Sequence, residues 1–179
     1  MQAKKSLGQN FLKSVPALRK IVEAGEVAPG DVILEIGPGK GALTTKLLEA
    51  GAKVIAVEKD RELFQFLQEK FADEIKSGSL VLVCDDILEF QASAYSLGPR
   101  APARNAFSIA NASGYKVIAN IPYNITGAIL KKFLAGDPPT GGQPKRMVLM
   151  LQHEVAKRII ANDARESILS ISVKAYGEP

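Results

Sequence analysis

The sequence predicts an α/β domain in which a mostly parallel sheet is covered by helices on both faces. Short apolar runs rich in β-branched residues alternate with segments of helical periodicity, and a glycine-rich turn follows the first of these runs. Such alternation produces βαβ units with right-handed crossovers, so the strands run parallel. With 179 residues, 46% of them hydrophobic, the chain is long enough for one domain with a buried core.

The predicted elements follow in a regular order. A first helix covers 15–24, with Ser14 as its N-cap and Gly25 as its stop. The predicted strands are 32–36, 53–57, 80–83, 116–119 and 146–151, and the predicted helices between them are 42–50, 60–72 and 126–134. Residues 91–114 contain repeated helix and strand breakers, which predicts a long surface loop. Apolar positions in 168–175 fit a strand or a helix, so periodicity leaves the tail open.

Composition restricts the setting of the protein. The single cysteine, Cys84, excludes an internal disulfide, and no apolar run is long enough to cross a bilayer. No secretory signal is visible, so we expect a cytoplasmic protein without a membrane partner. The formal charge of +4 suits a polyanionic partner without requiring one. Basic pairs at 4–5, 131–132, 145–146 and 157–158 fit either one phosphate-facing surface or ordinary solvated charges.

The glycine turn indicates a ligand site at the carboxyl edge of the sheet. Gly37, Gly39 and Gly41 would let a ligand approach the backbone at the start of a helix. Glu58 ends the second strand, where a carboxylate can accept both hydrogen bonds of a ribose diol, and Asp86 follows the third strand, within reach of an adenine amino group. Each acid alone fits a solvated loop residue, but their positions after successive strands predict an adenosine-type cofactor.

Two cofactor classes remain open from these residues. Gly37, Gly39 and Ala42 also fit the dinucleotide fingerprint, and Glu58 lies at the roughly 20-residue separation that this motif expects. Glu35 is an acid close to this turn, and its negative charge favours a cationic ligand over a pyrophosphate. A structural role, in which the Glu35 side chain is hydrogen-bonded within the protein, explains its presence equally well. The glycine turn is therefore compatible with S-adenosylmethionine and with the NAD of a dehydrogenase.

The loop after the fourth strand, residues 120–123, indicates the chemistry. The exocyclic amine of adenine is a poor nucleophile, so a methyltransferase must hold its N–H groups with acceptors and align it with the methyl donor. Oxygens of Asn120 and of the peptide at Pro122 can accept those hydrogen bonds, and Tyr123 can stack on the base. The alternative is a proline turn with a packed tyrosine. We interpret Asn120, Pro122 and Tyr123 as catalytic residues, with no strong general base essential and no metal site expected.

The motifs together resemble the ribosomal RNA adenine N6-dimethyltransferase family, which modifies small-subunit RNA and is related to the macrolide-resistance RNA methylases. The similarity covers nearly the whole chain. It is carried by an N-terminal motif at 7–12, the cofactor loop at 35–44, the catalytic loop at 120–125 and a further segment at 149–158.

The resemblance implies a Rossmann-like class I methyltransferase fold that uses S-adenosylmethionine to methylate the N6 amine of adenosines in small-subunit (16S-type) ribosomal RNA. The implied partner is the pre-ribosomal small subunit during ribosome maturation. By the resemblance, Asn120, Pro122 and Tyr123 engage the target adenine. The family has an acidic residue after the third strand, and by its distance from the strand Asp86 matches that residue better than Asp85 does. The residues implied to contact the cofactor are Asn10, Leu12, Gly37, Glu58, Asp86 and Asn120.

The chain also departs from the family pattern. His153 stands where a lysine is usual, and we expect a structural or RNA-facing role for it. The 91–114 stretch is longer than the family norm. Relatives continue into two more strands and a helical domain, so the resemblance implies that 1–179 is a catalytic domain incomplete at its C-terminus, with that helical domain absent. It also places 167–176 in a helix. An assembly factor that holds pre-ribosomal RNA without turnover remains the alternative.

Overall fold

The described residues form one parallel sheet with the strand order β3-β2-β1-β4-β5. The computed structural model describes residues 12, 14–90, 114–121, 123–134, 143–161 and 167–179. Its strands are β1 (Val32–Ile36), β2 (Lys53–Glu58), β3 (Leu80–Cys84), β4 (Lys116–Asn120) and β5 (Arg146–Met150). Every neighbouring pair is parallel, so the predicted fold class is confirmed.

The helices agree with the sequence pattern except around Phe71 and at His153–Ile159, where the pattern predicted no helix. They are α1 (Val15–Ala24), α2 (Ala42–Glu49), α3 (Arg61–Lys70), α4 (Ala72–Ser77), α5 (Thr126–Leu134), α6 (His153–Ile159) and α7 (Ile168–Lys174). The single helix predicted for 60–72 is wrong at its end. Phe71, at φ −114°, interrupts it, and α4 follows. The ring of Phe71 is buried beneath the glycine turn, so packing overrides the helical period there.

The tail is a helix because its N-terminus is capped. The side chain of Ser167 accepts a hydrogen bond from the backbone of Ser170 at 3.2 Å, and the Ser170 side chain accepts one from the backbone of Ser167 at 2.8 Å. This reciprocal capping box satisfies donors that a helix start would leave without partners. It decides the question that the apolar spacing left open.

Two hydrophobic clusters cover the two faces of the sheet. Leu34 and Ile36 of β1 point into one cluster, which includes Phe133 of α5. Ile33, one residue out of phase, points into the other, which includes Leu47 of α2 and Leu67 of α3. Burial of alternate side chains on opposite faces is what a parallel sheet between two helical layers requires.

The sheet order creates a topological switch point at β1. The chain passes from β1 through β2 to β3 on one side, and then returns to place β4 on the other side of β1. Ligands of open α/β sheets bind outside the carboxyl ends of the strands at such a point. The loops that follow β1 and β4 therefore share the edge at which a ligand is expected.

Some predictions fall outside the described residues: the N-terminal motif up to 11, the loop 91–113 and Pro122. Within the described part of the chain, β5 pairs only with β4 and forms one border of the sheet. None of the described helices has the length and hydropathy needed to cross a bilayer.

Candidate cofactor site and catalytic loop

The carboxyl edge of the sheet carries the acids and glycines singled out from the sequence. Gly37 directly follows β1, Glu58 is the last residue of β2, and Asn120 is the last residue of β4. Asp86 lies two residues beyond Cys84, which ends β3 opposite Glu58. Parallel pairing thus brings these loops to one edge, as the sequence predicted.

The glycine turn uses backbone conformations that other residues rarely adopt. Gly37, Gly39 and Gly41 have φ values of +64°, +60° and +75°. A Cβ atom at Gly41 would lie 2.4 Å from Cε2 of Phe71, whereas a Cβ at Gly37 would meet nothing within 4 Å. Gly41 is therefore needed for packing, and Gly37 leaves open space for a ligand beside the backbone.

Glu58 fastens the glycine turn to the end of β2. Its Oε2 accepts a hydrogen bond from the backbone N–H of Gly39 at 3.1 Å, and its Oε1 accepts one from the N–H of Asp60 at 2.9 Å. Burial raises the pKa of Glu58, and the N–H groups of Asp60 and Gly39 offset part of that rise. Because an ionised carboxylate has about four lone-pair sites, two such bonds leave capacity for a diol.

Asp86 is held in the turn that follows β3. Its Oδ1 accepts a hydrogen bond from the backbone N–H of Leu88 at 3.0 Å, and its Oδ2 forms an ion pair with Nζ of Lys59 at 2.6 Å. Partial burial alone would raise the pKa of Asp86, but the bonds from Lys59 and Leu88 outweigh it and lower the pKa. Asp86 is therefore a charged acceptor at the rim of the site.

Glu35 is a buried, hydrogen-bonded carboxyl group rather than an exposed ligand group. It is 1% exposed, and its Oε2 accepts a hydrogen bond from the hydroxyl of Thr44 at 2.7 Å. Burial raises the pKa of Glu35 to about 8, the charge of Glu58 adds to the rise, and the Thr44 bond opposes it. Of the two explanations that the sequence allowed, the structure favours a hydrogen-bonded structural acid.

Lys70 supports the glycine turn and was missed by sequence reasoning. Its Nζ donates to the backbone oxygen of Lys40 at 2.8 Å and lies 4.8 Å from the centroid of the Phe71 ring. Burial lowers the pKa of Lys70, while the charges of Glu35 and Glu74 oppose that change. A contact from a helix end to a backbone carbonyl 30 residues away leaves no mark in the sequence pattern.

The basic pairs do not all face the site. Arg146 starts β5 at the opposite edge of the sheet, where it pairs with Glu26 at 2.8 Å and donates to the backbone oxygen of Ala24. Lys132 donates to the backbone oxygens of Leu88 and Phe90, and so ties α5 to the turn containing Asp86. Arg146 and Lys132 thus make contacts within the chain, and a phosphate-facing surface formed by the basic pairs stays a prediction.

The loop that follows β4, in which we expect the catalytic residues, begins at the same edge as the glycine turn. Asn120 is half-buried, Ile121 is buried, and a 3-10 turn at Tyr123–Ile125 leads into α5. Asn10 and Pro122 lie outside the described residues, and only the backbone of Tyr123 is described. Leu12 packs at the margin of the cluster beneath α2. The contacts expected of these residues stay predictions.

Two other expectations concern His153 and metal binding. His153 is exposed as the first residue of α6, so it is not a core histidine, and contact with RNA stays a prediction. Among the described residues, no three or more His, Cys, Asp or Glu side chains are placed to hold a metal ion together.

The sheet order and the glycine turn define a Rossmann-like fold, and the similarity to two solved methyltransferases identifies it as a class I methyltransferase fold. The fold matches the crystal structure of a dimethyladenosine transferase from Plasmodium falciparum, with a TM-score of 0.67 and 30% identity over 92% of this chain and 52% of that one. It also matches the 23S rRNA methyltransferase ErmE, with a TM-score of 0.66 and 27% identity over 90% of this chain and 56% of that one.

The chain belongs to the ribosomal RNA adenine dimethylase family, whose model matches residues 1–178. A curated relative from Dehalococcoides mccartyi (strain CBDB1), named ribosomal RNA small subunit methyltransferase A, is 40% identical over 100% of this chain and 55% of its own length. A relative of the same name from Synechococcus elongatus (strain ATCC 33912 / PCC 7942 / FACHB-805) is 41% identical over 97% of this chain and 58% of its own. The chain thus spans little more than half the length of these relatives. Membership of this family does not favour the NAD alternative.

Proposed function

We propose that this chain binds S-adenosylmethionine at the carboxyl edge of its sheet and carries the loop that directs its methyl group to the N6 amine of adenosines in small-subunit ribosomal RNA. The observation that carries the proposal is the shared edge: Glu58 holds the glycine turn there, and Asn120 ends the neighbouring strand β4 at the same edge. Family membership supports the cofactor and the RNA substrate.

We assign the cofactor contacts from the charges of the two acids and from the open space beside the glycine turn. Glu58 has lone pairs left for the ribose diol, and Asp86 is a charged acceptor for the amino group of adenine. Gly37 leaves room for the ligand beside the backbone. By the family resemblance, we assign Asn10, Leu12 and Asn120 as further contacts of the same ligand. Gly39 belongs to the site because its N–H joins the turn to Glu58.

In the methyl transfer, the loop positions the target base. The cofactor supplies an electrophilic methyl group. The side-chain oxygen of Asn120 and the carbonyl at Pro122 accept hydrogen bonds from the N6 amine, and Tyr123 stacks on the ring. When bound, S-adenosylmethionine would pass this methyl group to the N6 lone pair and leave as S-adenosylhomocysteine, and the proton displaced from nitrogen would pass to solvent. Positioning is the main contribution, because the amine is otherwise poorly aligned and weakly nucleophilic.

We place the reaction on the pre-ribosomal small subunit in the cytoplasm. The curated relatives carry small-subunit RNA in their names, and the net charge of +4 suits a polyanionic substrate. Small subunits that lack the modification are therefore the substrate to test.

Mass spectrometry of nuclease-digested RNA tests the function. Unmethylated small subunits are incubated with the purified chain and S-adenosylmethionine, and the digest is analysed for N6-methylated adenosines. We expect new mono- or dimethylated adenosine that is absent without the chain. Retention of small-subunit RNA without any methylated product would support a binding factor instead of an enzyme.

A further inference from the structure

An ion pair joins the ends of β2 and β3 next to the proposed adenosine site. Nζ of Lys59 lies 2.6 Å from Oδ2 of Asp86. The two strands are paired up to Glu58 opposite Cys84, and the N–H of Asp85 still donates to the oxygen of Glu58 at 3.2 Å. The ion pair therefore lies directly beyond the paired strand ends, where the proposed ribose and adenine contacts meet.

The carboxylate of Asp86 is held at both of its oxygens. The backbone N–H of Leu88 donates to Oδ1 at 3.0 Å, and Nζ of Lys59 donates to Oδ2. These two contacts set the plane of the carboxylate, and its remaining lone pairs can accept a hydrogen bond only from defined directions. Without Lys59, the local turn would hold one oxygen alone.

Stability does not explain this ion pair. The Lys59 side chain is 61% exposed, and ion pairs this open to solvent contribute little to the stability of the fold. Its measurable consequence is local: the ammonium lowers the pKa of Asp86, and Asp86 and Glu89 raise the pKa of Lys59. At neutral pH, Asp86 is thus an ionised group that accepts and does not donate.

We infer that Lys59 is a positioning residue for base recognition, which holds Asp86 as a fixed acceptor and so selects a purine with a 6-amino group over one with a 6-oxo group. This inference rests on the proposed cofactor. An amino group can donate to a fixed carboxylate, whereas a 6-oxo group presents a lone pair to it, and two acceptors that face each other repel. A carboxylate that is free to rotate can avoid the 6-oxo group, and it therefore discriminates less between the two purines.

Calorimetry with two ligands tests the inference. The probes are S-adenosylhomocysteine and S-inosylhomocysteine, which differ at the purine 6-position. The variant Lys59→Met keeps the alkyl chain and removes the charge, and Lys59→Arg keeps the charge. The control is Lys76→Met, which removes an exposed charge on α4, the helix that leads to the opposite end of β3. Circular dichroism melting confirms that each variant is folded.

We expect Lys59→Met to bind S-adenosylhomocysteine about tenfold more weakly and the inosine analogue almost unchanged, so that the ratio of the two affinities falls about tenfold. Lys59→Arg should restore most of the ratio, and Lys76→Met should behave as the parent chain. In an Asp86→Asn background, Lys59→Met should have no further effect, because the positioned acceptor is already lost.

An unchanged ratio in Lys59→Met overturns the inference and leaves the cofactor proposal standing. Tighter binding of S-adenosylhomocysteine to Lys59→Met also overturns it, because Lys59 would then compete with the base for Asp86. If the parent chain binds neither S-adenosylmethionine nor S-adenosylhomocysteine, the proposed function fails first and the inference with it.

Discussion

The backbone N–H of Gly39 donates a hydrogen bond to Oε2 of Glu58 at 3.1 Å, so the turn after β1 is held by the acid that ends β2. Glu58 is 6% exposed and holds the N–H of Asp60 with its other oxygen. One side chain therefore shapes the glycine turn and, in our proposal, receives the ribose. Loss of Glu58 should affect both the stability of the turn and ligand affinity.

Replacement of Glu58 by alanine should weaken binding of S-adenosylmethionine by about tenfold or more and lower Tm. The ligand loses its diol acceptor, and the N–H groups of Gly39 and Asp60 lose their partner, which costs roughly 1–3 kcal/mol per buried group. Calorimetry and thermal melting measure the two effects. Glu69→Ala, which removes an exposed acid of α3, is the control and should change neither. Parent-like affinity in Glu58→Ala would contradict the ribose assignment.

Replacement by alanine of three glycines with positive φ should distinguish three effects: backbone strain, a collision with neighbouring side chains, and obstruction of the ligand. Gly30, Gly37 and Gly41 have φ values of +86°, +64° and +75°. Each alanine pays about 1–2 kcal/mol for a left-handed conformation, but only Gly41→Ala also collides with Phe71 and should be much less stable. Gly37→Ala and Gly30→Ala have equally open surroundings and should melt similarly.

The comparison of Gly37→Ala with Gly30→Ala isolates the ligand effect, because Gly30 lies before β1, at the opposite edge of the sheet. Calorimetry should show a loss of S-adenosylmethionine affinity for Gly37→Ala alone. Equal affinity in these two variants would argue against ligand approach at Gly37.

Glu35→Gln should make the protein less sensitive to alkaline pH. The pKa of Glu35 is raised from 4.5 to about 8 in the folded chain, so the folded state holds a proton that the unfolded state has lost between these values. The free energy of unfolding contributed by Glu35 therefore falls as pH rises through this window. Glutamine keeps an oxygen for the Thr44 hydroxyl and cannot ionise.

Thermal melting from pH 5 to pH 9 measures this difference. We expect the Tm of Glu35→Gln to rise relative to the parent by several degrees across the range, because each kcal/mol shifts Tm by about 2–4 °C at this size. The exposed control Glu69→Gln should follow the parent curve. Parallel curves for Glu35→Gln and the parent would mean that Glu35 is ionised in the folded protein.

Asn120→Ala should remove methyl transfer while leaving cofactor binding weakened but detectable. The variant loses the side-chain oxygen that we assign to the target amine, and removal of one positioned hydrogen-bonding group of this kind costs about 10²–10³ in turnover. Mass spectrometry of the RNA measures the product, and calorimetry on the same sample is the internal control. Unchanged methylation would refute the role of Asn120.

Local patterns were sufficient to predict the sheet and most of its helices. Helix α1 has the bounds that Ser14, Gly25 and the apolar spacing between them indicate, and the side chain of Ser14 accepts a hydrogen bond from Ala17 as an N-cap. The strands were found because buried parallel strands are short apolar runs between breakers. Their order along the chain then placed Glu58 and Asp86 at one edge.

Long-range contacts could not be predicted in this way. The end of α3 at Lys70 depends on Phe71 packing beneath Gly41, and the support of the glycine turn depends on Lys70 reaching the oxygen of Lys40. Neither partner is close in sequence to the other. The sequence also left the role of Glu35 undecided. The pattern around an acid within a strand is the same whether its side chain faces a ligand or a neighbouring hydroxyl such as that of Thr44.

Calorimetric titration of the purified chain with S-adenosylmethionine and, separately, with NAD tests the central claim most directly. Both ligands contain adenosine, but only the first fits a methyltransferase. We expect saturable binding of S-adenosylmethionine that is weakened in Glu58→Ala, and no binding of NAD. Tight binding of NAD without a response to S-adenosylmethionine would contradict it.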